Sequence, residues 1–137
     1  IKNLNNNAIK KKSEIATLAC KIKDKNILNK SNIVKVITNE KISKENMTIA
    51  NTFLREVSLN INENIYHHIG IYMYKASILE KFINLKQSKN EIDRKLEQMR
   101  AIDNKIKINV ILANSSPVGV DTKEDFLELK KIMNYKK

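Results

Sequence analysis

Ten consecutive residues, Ile65 to Tyr74 (IYHHIGIYMY), alternate in a way that only an extended strand can use. Ile65, His67, Ile69, Ile71 and Met73 point to one side, and Tyr66, His68, Gly70, Tyr72 and Tyr74 to the other. One face is mostly aliphatic; the other carries rings with hydrogen-bonding tips. Gly70 leaves the ring face open at its middle, as where a ligand or another backbone comes close. The same pattern fits a structural bulge, with Tyr and His satisfied inside a core.

Further elements arrange themselves around this strand. EIATLACKI from Glu14 and NIVKVIT (Asn32 to Thr38) read as strands, and Asn39 to Asn46 as a charged connection. Met47 to Leu59 fits either a strand or a short helix. Lys75 to Leu85 has the spacing of a helix, with Ile78, Leu79, Phe82, Ile83 and Leu85 on one stripe. A second helix is expected from Asn90, as its N-cap, to Asp103, burying Ile92, Leu96, Met99 and Ile102. On it Glu91 can pair with Lys95 and Arg94 with Gln98, which leaves Glu97, Gln98 and Arg100 readable as a solvated face. KIKINVIL (Lys105 to Leu112) is a strand; Ser115 to Pro117 form a loop; Thr122 caps a helix with apolar positions Phe126, Leu127, Leu129 and Ile132. Asp121, just before that cap, either helps satisfy first-turn amides or projects a carboxylate into a cleft. The order of strands and helices makes this an α/β chain with a partly parallel sheet, whose ligand sites lie beyond the carboxyl ends of strands.

Composition removes several classes of function. A length of 137 residues allows one domain or part of one. Two glycines, Gly70 and Gly119, cannot build a glycine-rich phosphate loop, and one cysteine with two histidines makes neither a disulfide nor a zinc site. The net charge of +11 invites a nucleic-acid reading, but 23 of the 26 basic residues are Lys, and Lys, Asn and Ile fill 63 positions. Scattered lysines of this kind reflect codon bias more than a designed surface, so no nucleic-acid partner is expected. No stretch reaches the ~18 apolar residues of a membrane span, so no membrane association and a cytoplasmic location are expected. The polar opening IKNLNNNAIKKK, starting at Ile1, reads as a mobile lead-in over residues 1–12 or as a chain whose beginning lies upstream.

Four phrases in order carry a resemblance: SEIATLACKI with NKSNIVKVI, HIGIYMY, LEQMRAIDN and GVDTKEDF. They are similar to E-I-A-T-L-A with N-P-N-V-V-K-V-V, H-I-G-I-Y-x-Y, L-E-Q-L-R-x-L-E-N and G-V-D-T-x-E-D-L of the 3-deoxy-manno-octulosonate cytidylyltransferases, the CMP-Kdo synthetases of lipopolysaccharide biosynthesis. The resemblance runs from Ser13 to the end and covers the carboxyl-terminal half of that family. It implies that residues 13–137 are the carboxyl-terminal portion of a doubly wound, Rossmann-like mixed α/β sheet of the nucleotide-sugar-transferase type.

The reaction it implies is attack of the sugar acid's 2-hydroxyl on the α-phosphorus of CTP, with Mg²⁺, in an enzyme assembled as a homodimer. By the same resemblance Asp121 is a catalytic, Mg²⁺-binding aspartate, and His68, Tyr72, Glu97 and Gln98 line the sugar pocket. Arg55, in TFLRE, stands where F-S-R-x-P-I-P has the arginine facing the sugar carboxylate, with Leu54 for the serine and Glu56-Val57-Ser58 for the proline turn. The P-x-R-L-x-S-x-R-L loop and the G-D-x-P aspartate have no counterpart here. The resemblance therefore implies a fragment, inactive alone and poorly soluble, in which His68, Tyr72, Glu97, Gln98 and Asp121 converge on one open face. The competing readings are a noncatalytic dimerisation or interaction domain and a basic nucleic-acid-binding module.

Overall fold

The computed structural model describes residues 1–57, 64–114, 120 and 123–134. Helix α1 (Lys2–Lys11) leads into β1 (Ile15–Cys20), a 3-10 turn (Lys25–Asn29), β2 (Lys35–Thr38), β3 (Thr48–Leu54) and β4 (Asn64–Tyr74). Then come α2 (Ala76–Ile83), α3 (Lys89–Arg94), α4 (Gln98–Asp103), β5 (Ile108–Leu112) and α5 (Lys123–Asn134). The ambiguous segment after Met47 is a strand, and its Ala50 and Phe53 enter the core.

The strands pair in the order β1-β4-β2-β3-β5, and β5 returns to β1, so the sheet closes on itself. The β1–β5 pair is parallel; the other four pairings are antiparallel. The result is a mixed α/β sheet of the expected class, and helices cover both of its faces. On one side α2 and α4 contribute Phe82, Met99 and Ala101 to a cluster with Ile15, Ala19, Val36, Phe53, Tyr66 and Val110. On the other, Leu4 and Ala8 of α1 pack with Ala16, Leu18, Cys20, Ile69 and Ile111. Strand β1 is buried along its whole length because its alternate residues belong to different clusters.

Two expectations change here. The lead-in is not structureless: residues 2–11 form a helix, because Leu4 and Ala8, four apart on one face, find the β1–β4 surface to cover. Lys10 and Lys11 also sit in its last turn, where the helix dipole favours cations. The expected long helix from Asn90 to Asp103 is two helices. Lys95 adopts the left-handed conformation (φ 53°), with Leu96 N–H reaching Glu91 O and Lys95 N–H reaching Ile92 O, a Schellman ending. Ser88, not Asn90, caps α3, forming a reciprocal capping box with Glu91. The turn at Lys95 sends Leu96 and Met99 into the core while Ile92 stays exposed.

Candidate functional site

The proposed sugar face is built on β4, and its local shape comes from a slip in pairing. Thr17 lies opposite Tyr72, but the next residue, Leu18, lies opposite Ile69, so Gly70 and Ile71 bulge out of the ladder. The buried Thr17 hydroxyl fills the bulge. It reaches Ile71 O at 2.8 Å and Ile69 O at 3.2 Å and lies 3.0 Å from His68 Nε2. Carbonyls only accept, and the shortest contact assigns the single hydroxyl proton to Ile71 O, which makes His68 Nε2 the donor to Thr17. That leaves Nδ1 as the unprotonated, acceptor nitrogen of the ring. Burial, reinforced by neighbouring His67, pushes the His68 pKa down to about 4, so the ring is neutral at pH 7.

Gly70 sits in the bulge, and a β-carbon placed there would meet nothing within 4 Å, so the space at Gly70 itself is open, while His68 is buried against Phe53 as in the core reading. Across the bulge the rings of His68 and Tyr72 lie 5.4 Å apart. The aromatic series continues through Tyr74 (6.0 Å from Tyr72) to Phe82 (5.9 Å from Tyr74), and Phe53 meets His68 edge-on at 5.0 Å. Burial, then the charges of Tyr74 and Glu97, raise the Tyr72 pKa, which keeps the phenol a proton donor. The Glu97 charge is thus felt at Tyr72; its side chain is 69% exposed, with Oε1 3.5 Å from Arg100 Nη2. Gln98, half-buried, is the first residue of α4.

Arg100 was readable from sequence as a surface cation, but it is mostly buried. Its Nε and Nη2 donate to the Glu91 carboxylate at 2.8 and 2.5 Å, and its guanidinium stacks 4.9 Å over Phe82. This pairing replaces the expected Glu91–Lys95 contact and, by hydrogen bonding above all, holds the Glu91 carboxyl down to about pKa 2. Arg94 likewise turns away from Gln98, to Thr52 Oγ1 and Phe53 O. Arg55 donates to the carbonyls of Arg94, Ser31 and Lys95.

His68 and Tyr72 thus come together, while Glu97 and Gln98 stand at the start of α4 with Glu97 paired to Arg100. Asp121 lies outside the described residues, as do Ser115 to Gly119 and Thr122. Sequence reasoning missed Thr17, Phe53 and Phe82, and the one signal for Thr17 was its place in the EIATLA phrase. Among the described residues no three His, Cys, Asp or Glu side chains gather as a metal site. A cleft of about 530 Å³ opens elsewhere, at the carboxyl ends of β1 and β5, lined by Lys21, Lys23, Lys44 and His67 among others.

The sequence model of the cytidylyltransferases matches residues 1–108. The chain belongs to the cytidylyltransferase family. It is 40% identical over 121 residues to a 3-deoxy-manno-octulosonate cytidylyltransferase of Bartonella bacilliformis, covering 88% of this chain and 49% of that protein. The corresponding protein of Agrobacterium fabrum is 35% identical over 120 residues, covering 88% and 47%. The chain therefore spans about half the length of the curated relatives it matches. A solved structure of CMP:2-keto-3-deoxy-manno-octonic acid synthetase complexed with CTP superposes with a TM-score of 0.81 at 24% identity, over 98% of this chain and 55% of that one. At that identity the likeness is one of fold. The family match includes residues 1–12, in keeping with α1 as part of the folded unit.

Proposed function

We propose that this chain supplies the sugar-acid side of a cytoplasmic cytidylyltransferase that transfers CMP from CTP to the 2-hydroxyl of 3-deoxy-manno-octulosonate, releasing pyrophosphate. The observation that carries the proposal is the pairing of the neutral His68 ring with Tyr72, 5.4 Å apart across the β4 bulge, with the Glu97 charge felt at Tyr72. A polyol suits such a surface. Its apolar ring lies over Tyr72, its hydroxyls donate to His68 Nδ1 and Glu97, and the Gln98 amide can both donate and accept. Phosphoryl transfer needs positioning and charge neutralisation more than covalent help, so a pocket that orients one hydroxyl is itself a catalytic contribution. Asp121 is the carboxylate we assign to Mg²⁺. One carboxylate does not make an oxygen-rich magnesium site, so the remaining ligands must come from phosphates, water or parts of the enzyme outside this chain. Assembly as a homodimer belongs to the same reading.

The test is pyrophosphate release by this chain joined to the part of a relative that it does not span. CTP and octulosonate together should give turnover, while His68→Ala should lower kcat/KM about a hundredfold, the upper range for lost positioning. Asp121→Asn should abolish turnover, and the chain alone should show none. Full activity in both variants would remove the proposal.

A further inference from the structure

Lysine outnumbers arginine 23 to three in this chain, yet all three arginines meet at one place, the elbow between α3 and α4. Arg55, at the end of β3, donates Nε to Arg94 O (3.1 Å) and Nη2 to Lys95 O (2.9 Å), and Nη1 to Ser31 O (3.0 Å). Arg94 reaches back from the elbow to β3, its Nη1 donating to Thr52 Oγ1 (2.5 Å) and Phe53 O (3.1 Å). Strand and elbow thus exchange arginines. Arg100 closes the far side, forked onto Glu91 and lying beside Glu97. The carbonyl of Arg55 is itself held by the ammonium of Lys35, a fully buried lysine that also donates to Lys30 O and Ile33 O.

The chemistry of these contacts explains the residue choice. Arg55 and Arg100 each satisfy several acceptors fixed in different directions, which a planar fork does and a single ammonium on a flexible stem does not. At the elbow Lys95 holds a left-handed backbone conformation that a β-carbon disfavours, so external bonds to its carbonyl and its neighbour's have something to oppose. Directly after the elbow come Glu97, the N-cap of α4, and Gln98, its first residue.

We propose that Arg55, Arg94 and Arg100 are positioning residues that preset the α3–α4 elbow, so that Glu97 and Gln98 are fixed at the start of α4 before any ligand arrives. Arg55 then acts on the sugar acid through the elbow. That the elbow serves a sugar-acid pocket rests on the function proposed above; that the arginines set the elbow does not. A pocket held ready in this way binds more tightly because less is ordered on binding.

The experiment has a ligand-free arm and a ligand arm. Arg55→Lys and Arg94→Lys keep the charge and lose the fork. In the free protein, amide exchange at Lys95, Leu96 and Met99 should quicken about tenfold in either variant, while the β1–β4 ladder keeps its wild-type rates. Calorimetric titration with 3-deoxy-manno-octulosonate should show affinity falling about tenfold in the same variants. If a lysine variant loses ladder protection, Thr52→Ala, which removes one acceptor of Arg94, takes its place with a threefold effect expected in both arms. Unchanged elbow exchange overturns the proposal, whatever the sugar does. Faster exchange with unchanged affinity also overturns it, because the elbow would then position nothing. Faster exchange in a protein whose wild type binds no octulosonate supports the arginine brace and sinks the functional reading instead.

Discussion

At the scale of single residues, His68 shows how much a neighbour decides. The sequence places this ring on the polar side of a strand; Thr17, about fifty positions earlier, decides which of its nitrogens holds the proton. The same burial ties His68 to stability. Its pKa falls from 6.5 to about 4 on folding, so the neutral ring stabilises the fold fully above pH 6.5, and that contribution disappears as the pH drops toward 4. The loss should be on the order of 3 kcal/mol, read from urea midpoints between pH 7 and pH 4, and His68→Gln should flatten the profile over that window. A wild-type profile without that decline would show the ring to be solvated. Glu91 acts lower: its pKa drops from 4.5 to about 2, so its contribution is intact above pH 4.5 and lost toward pH 2.

At the scale of elements, most strands were legible, but the helix ends were not. Among the described residues three helices end in Schellman turns, at Lys12, Lys95 and Lys105, each with φ between 53° and 60°. Glycine ordinarily takes that position, and its absence is why the Asn90 to Asp103 segment read as one continuous helix. A lysine there carries a steric cost of roughly 1 kcal/mol that glycine avoids. Lys105→Gly should therefore stabilise the chain by about 0.5–1 kcal/mol in equilibrium urea unfolding, because relief of the turn outweighs the extra freedom of the unfolded chain. Destabilisation would mean that the Lys105 side chain, not the turn, holds the start of β5. Helix α1 was hidden for a different reason. Leu4 and Ala8 make too short an apolar stripe to announce a helix, and they stabilise one only because a sheet face waits beneath them.

Across the whole molecule, the two hydrophobic clusters share β1 as their common wall. Ile15 and Ala19 face one cluster while Ala16, Leu18 and Cys20 face the other, so neither can melt and leave the other intact. The chain has no tryptophan, and Tyr66, Tyr72 and Tyr74 all sit in or against the first cluster. Tyrosine emission and far-ultraviolet dichroism should therefore give coincident urea transitions; separated midpoints would show the α1 side unfolding on its own. Phe126 and Leu127, apolar positions of α5, are about half exposed. Among the described residues every lysine but the buried Lys35 is exposed, while the arginine forks are turned inward to the elbow.

Local pattern determined that β4 is a two-faced strand, that β1, β2 and β5 are strands, and that the ordered phrases belong to the cytidylyltransferases. These depend on alternation and spacing, which a linear text carries intact. Tertiary structure alone decided the bulge at Gly70, the proton position on His68, the break at Lys95 and the meeting of the three arginines. Apart from the break at Lys95, which local bonds close, each of these joins groups from about nine to fifty residues apart, and a bond of that kind is chosen by which surfaces the packed sheet brings together, not by any preference of the residues for their neighbours in the chain.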